Sequence, residues 1–271
     1  MSLLVEAKSR ISHIKKEFQG FNPVAVGLLS ADSMRYVRQH NTVLEGYHFP
    51  DKGPFIATGN HFNKYDARKA HYLSFMRDFR LLTVVVKRGL IQKDGIEPDD
   101  FLHALGETRE SAMAEYNPLT AWVLRGMNVM GILRNKPGTE VYLKGRATLK
   151  GGRGWALFMQ QHRQADCTLR DLQPGVAFFA QNFPDVAVYP MAFSGPPIEG
   201  IDRATVLKPF SYNELRKEYG RDLTIPELTI MIADMIATAL PESSQIDWAH
   251  RWPDELDRLN KSFIPSRKPK R

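Results

Sequence analysis

An α/β fold with a mainly parallel central sheet flanked by helices is what this sequence predicts, and three observations carry the prediction. Short apolar or β-branched runs alternate along the chain with stretches of helical periodicity, the order that builds sheets from strand–helix–strand units. One run, 81–86, is apolar or β-branched throughout, as in a strand covered by helices on both faces. No run approaches the roughly 20 apolar residues that cross a bilayer, so the 271 residues are expected to form one sizeable core.

The elements follow in chain order. Within an N-terminal segment, 1–40, the residues Leu4, Ala7, Ile11, Ile14 and Phe18 share one helical face, with Lys8, Arg10, Lys15 and Lys16 off it. This predicts an N-terminal amphipathic helix, either docked on its own core or lying in a lipid headgroup layer. From Asn41 the period changes. Residues 42–46 and 54–58 read as short strands around a Pro/Gly turn at 50–54. Helical text covers 66–77, the buried strand follows, and 92–117 is acidic, an expected surface helix serving as insertion or lid. Helices near 119–125 and 141–149 alternate with strands at 129–133, 156–158 and 186–193. Thr224 and Glu227 have capping-box spacing with Pro226 between them, opening an apolar helix over 228–240 that stops at Pro241. The expected organisation is therefore an N-terminal segment 1–40, a main domain 41–245, and an extension 246–271 ending in a basic tail.

Composition narrows the partners. A net charge of +7 and a pI near 9.4 favour anionic surfaces or carriers. The basic residues are interspersed rather than organised with aromatics into a recognition module, so no nucleic acid is expected. The single cysteine, Cys167, excludes an intramolecular disulfide, and no secretory leader pattern opens the chain. A cytoplasmic setting is the expectation. No Cys/His spacing points to zinc. The glycine run 151–154 lacks the Lys-Ser/Thr ending of a phosphate loop and reads as a turn.

Chemistry concentrates at one place. His61 and Asp66 are the only His in this chain followed five residues later by an Asp. They come directly after the strand ending at Gly59 and Asn60, where a turn exposes the imidazole and a starting helix returns the carboxylate toward it. A hydroxyl is a poor nucleophile at neutral pH; a neutral imidazole can take its proton during attack while a carboxylate orients the ring. Taken without further context, Asp66 reads as a helix cap and His61 as a turn residue.

The segment Gly53–Asp66 resembles the first conserved block of the glycerol-3-phosphate and 1-acylglycerol-3-phosphate acyltransferases, an apolar strand followed by Asn-His-x4-Asp. Gly131–Arg134 is similar to that family's second block, and Val186–Gly195, after Pro174–Ala180, to its fourth. The resemblance covers about 42–243, in order. The third block departs: where the family has Phe-Pro-Glu-Gly-Thr-Arg, this chain has Phe158-Met159-Gln160-Gln161-His162-Arg163.

The resemblance implies the glycerolipid acyltransferase fold, with His61 as general base and Asp66 as its orienting partner. Asn60, Arg134, Gln160 and Arg163 are implied at the acceptor site, with the two arginines on its phosphate. It implies no cofactor and no metal. The acyl donor would be acyl-CoA or acyl-carrier protein, the acceptor a lyso-lipid such as 1-acylglycerol-3-phosphate, and the location peripheral, at the inner face of an anionic membrane. Because Gln160 replaces a carboxylate, a lyso-lipid that is not a glycerophosphate is an open alternative, as is an idle lipid- or carrier-binding protein on the same fold.

Overall fold

The backbone separates strands where alternating or continuous apolar text falls between turns, and helices where an Asn, Ser or Thr precedes an apolar face. In the computed structural model, residues 20–262 are described, apart from 64, 97, 105–107, 133–138, 161 and 197. The expected N-terminal helix at 4–18 and the tail beyond 262 lie outside the described residues. Seven strands form one sheet: β1 (Val43–Gly46), β2 (Phe55–Gly59), β3 (Leu82–Lys87), β4 (Met130–Ile132), β5 (Gly154–Phe158), β6 (Ala187–Ser194) and β7 (Arg203–Val206). Their order is β1-β7-β6-β2-β5-β3-β4. β3 runs parallel to β4 and β5, and β1 parallel to β7, while β6 and β7 are antiparallel. The chain is thus an α/β protein with a mostly parallel sheet flanked by helices. Among the described residues, no helix is long and apolar enough to cross a membrane.

Contacts group the chain into two units: Met1–His40 with His48–Phe55 and Ala67–Ala156, and Asn41–Tyr47 with Ile56–Asp66 and Leu157–Arg271. In the first, helix α1 (Pro23–Gln39) starts at Asn22, whose side chain accepts from the Val24 and Ala25 N–H groups, with Pro23 at the first position. Phe21, Val26, Leu81 and Met127 form a core cluster. α2 (Asp66–His71) continues as a π-helical turn, Tyr72–Arg77. The acidic segment is two short helices, α3 (Asp99–Ala104) and α4 (Arg109–Ala114), rather than one. α5 (Pro118–Gly126) and α6 (Thr139–Lys150) follow. β3 is buried only at Leu82 and Thr83 and half-buried beyond, so its continuous apolar text overstates its cover.

The second unit holds α7 (Gly175–Asn182), α8 (Tyr212–Tyr219), α9 (Ile225–Ala237) and α10 (Glu242–Ser262). The capping box at Thr224 and Glu227 is present, both reciprocal hydrogen bonds made. α9 buries Leu228, Ile232, Ala233 and Ile236 against α7, α10 and β6. The expected boundary at 245 falls inside α10. That helix belongs to the unit, because Trp248 and Leu259 are buried and the Trp248 indole N–H donates to Asp234 Oδ1 at 2.6 Å.

Candidate active site

Everything that positions His61 lies within the second unit and begins with β2, all five of whose residues are buried. A Cβ on Gly59 would come within 2.7 Å of the Met191 carbonyl oxygen and of the Phe193 ring, so only glycine lets β2 run so close to β6 here. The buried Asn60 side chain continues the pairing: its Nδ2 donates to the Phe193 carbonyl at 2.8 Å and its Oδ1 accepts from the Phe193 N–H at 2.8 Å. A side-chain amide thus closes the ladder where the backbone turns away toward His61.

His61 is held on every side. Its N–H donates to Gln160 Oε1 at 2.9 Å, and its carbonyl accepts from the Gln164 N–H at 2.7 Å. Its ring stacks on Phe158, centroids 4.5 Å apart and planes 16° from parallel. Nδ1 lies 3.1 Å from Asp66 Oδ2. Because a carboxylate only accepts, Nδ1 carries the proton and Nε2 is the basic nitrogen. The His61 side chain is 22% exposed and that of Asp66 is fully buried. The imidazole thus reaches solvent while the carboxylate beside it does not.

Asp66 is delivered by a tight local turn. Its Oδ2 also accepts from the Asn63 N–H at 2.8 Å. Asn63 Oδ1 accepts from the Tyr65 N–H at 2.7 Å, and the Asn63 carbonyl from the Asp66 N–H. One carboxylate oxygen therefore serves the turn that precedes the helix and the imidazole together.

The loop after β5 closes the other side. The Gln160 Nε2 donates to the Thr168 carbonyl at 2.8 Å and to the Arg170 carbonyl at 3.2 Å. Helix α10 holds the end of this loop: Glu255 accepts from the N–H groups of Asp171 at 3.0 Å and Leu172 at 3.2 Å, and Arg258 donates to the Leu172 carbonyl at 2.7 Å.

Of the six residues singled out from the sequence, four meet within this unit's turn and loop: His61, Asp66, Asn60 and Gln160. Asn60 and Gln160, expected at the acceptor, engage backbone through their amides. Their polar ends are buried among strand and loop carbonyls and N–H groups. Arg163 is exposed. Arg134 lies outside the described residues. Phe158, Gln164 and Glu255 were not singled out; Phe158, the phenylalanine that opens the departing third block, was the one signal in the text. Among the described residues, no group of three His, Cys, Asp or Glu side chains is placed to hold a metal ion.

The fold and site together define an α/β protein with a histidine–aspartate dyad at the end of a central strand. No family model, curated protein or solved structure matches the chain.

Proposed function

We propose that this protein is an O-acyltransferase that moves a fatty-acyl group from an acyl thioester to a hydroxyl of a lyso-lipid. One observation carries the reading: His61 Nδ1 sits 3.1 Å from a fully buried Asp66 carboxylate while the ring stays partly exposed. The resemblance of Gly53–Asp66 to the glycerolipid acyltransferase motif adds the substrate class. In the reaction, Nε2 of His61 takes the acceptor's hydroxyl proton as its oxygen attacks the thioester carbonyl carbon. The tetrahedral oxyanion collapses, the C–S bond breaks, and the imidazolium returns its proton to the departing sulfur. Asp66 keeps the ring in the productive tautomer and stabilises its charged form.

The donor under this reading is acyl-CoA or acyl-carrier protein, and the acceptor 1-acylglycerol-3-phosphate or another lyso-lipid. The proposed setting is the cytoplasmic face of an anionic membrane, met peripherally, with the net charge of +7 favouring that surface. The test is thiol release from acyl-CoA and acyl-carrier protein with a panel of lyso-lipids, for the intact protein and His61→Ala. Acceptor-dependent release that the substitution abolishes supports the reading. Release indifferent to His61 refutes the mechanism, and lipid binding with no transfer makes the protein an idle binder.

A further inference from the structure

We infer that Gln160 is a positioning residue for His61, and that position 160 requires an uncharged amide. The inference rests on the acyl-transfer reading for its kinetic test but not for its structural one.

The geometry fixes which way the amide points. Oε1 faces a donor, the His61 N–H at 2.9 Å, and Nε2 faces two acceptors, the carbonyls of Thr168 and Arg170 at 2.8 and 3.2 Å. Turning the amide over would set its NH2 against an N–H and its oxygen against two carbonyls, losing all three bonds. Gln160 is 4% exposed, so water does not substitute. The side chain therefore links the backbone on which the imidazole is mounted to the loop ahead of α7. The same loop grips His61 a second time through the Gln164 N–H.

A glutamate here, the residue of the motif this segment departs from, keeps the acceptor for His61 but faces two carbonyl oxygens with a negative charge and nothing to donate. Proton uptake lessens the conflict, since a protonated carboxyl is neutral and donates to one of the two carbonyls. Other charged or titratable groups around this loop are His61 and Asp66 on the turn after β2, His162, Arg163, Asp166, Cys167, Arg170 and Asp171 on the loop, and Glu255 and Arg258 from α10. Burial and the two carbonyls raise the pKa of such a side chain.

The experiment compares Gln160→Glu and Gln160→Met with the intact full-length protein between pH 6 and 8.5. Acyl transfer and thermal unfolding are both measured. At pH 8, Gln160→Glu is expected to lower kcat by about 30-fold or more with little change in acceptor KM, the scale of an unmet buried polar group. The ratio of its kcat to that of the intact protein should rise as the pH falls, and its deficit in Tm should shrink in parallel. Gln160→Met, which removes the bonds without adding charge, should lower kcat by about tenfold at every pH.

A pH-independent ratio for Gln160→Glu, an effect confined to acceptor KM, or full kcat in Gln160→Met would each overturn the assignment. Should Gln160→Glu not fold at pH 8, the methionine variant still decides. If the intact protein transfers no acyl group to any acceptor, the functional reading fails. The pH dependence of the glutamate variant's Tm then tests the amide requirement alone.

Discussion

Replacing Asp66 by Asn removes one charge and leaves the shape nearly unchanged. An Asn oxygen at the place of Oδ2 can still accept from the Asn63 N–H and from His61 Nδ1, so the turn and the helix start should survive. What is lost is the attraction between the carboxylate and the imidazolium that forms during attack. At the observed 3.1 Å and an effective dielectric constant near 20, that attraction is about 5 kcal/mol at most. Charge spread over two carboxylate oxygens and the ring lowers it. At about 1.4 kcal/mol per tenfold in rate, kcat should fall by about 10²- to 10³-fold with acceptor KM little changed. The assay is continuous thiol detection under saturating acyl thioester, alongside a thermal melt to show that the variant is folded. A folded variant that keeps more than about a tenth of the kcat would refute the charge argument.

Two further outcomes follow from the same structure. Glu255→Ala leaves the buried N–H of Leu172 and the part-buried N–H of Asp171 without their acceptor, and Arg258 without its carboxylate. A loss of about 2 kcal/mol or more in urea unfolding is expected, together with faster amide exchange in the loop before α7; unchanged exchange at Asp171 and Leu172 would contradict it. The buried His71, beside Ser30 Oγ at 3.0 Å, is pushed by desolvation from 6.5 down to about 4. The unfolded chain then binds the proton first as pH drops, so stability is complete above about pH 6.5 and falls between there and pH 4, by about 3 kcal/mol. Urea titrations at pH 7 and 4.5 measure this, and His71→Leu should flatten the slope; an equal slope in the variant would assign the acid sensitivity elsewhere.

The parts of this protein that were legible in the text are those fixed by near neighbours. Period and turn chemistry place most strands and helices. The capping box at Thr224 needs only a residue three positions on. The dyad was visible for the same reason, because Asp66 reaches His61 across five residues through one turn nucleated by Asn63. Short, polar β7 and α8, whose apolar face is carried by few residues, gave too weak a pattern to be read. Asn60 and Gln160 were placed by the resemblance alone, because nothing local says where an amide points.

What the sequence by itself determined is the α/β class and the His–Asp pair, since both arise from backbone preferences and contacts within a turn or two. Only the tertiary structure decided that Gln160 reaches the His61 N–H across 99 residues of chain and that Glu255 reaches Asp171 across 84. Those hydrogen bonds exist because β5 takes its place beside β2 in the sheet and α10 meets the loop that follows β5. Strand order and helix docking come from burying apolar faces over the whole core, a cooperative choice that no local window of residues contains.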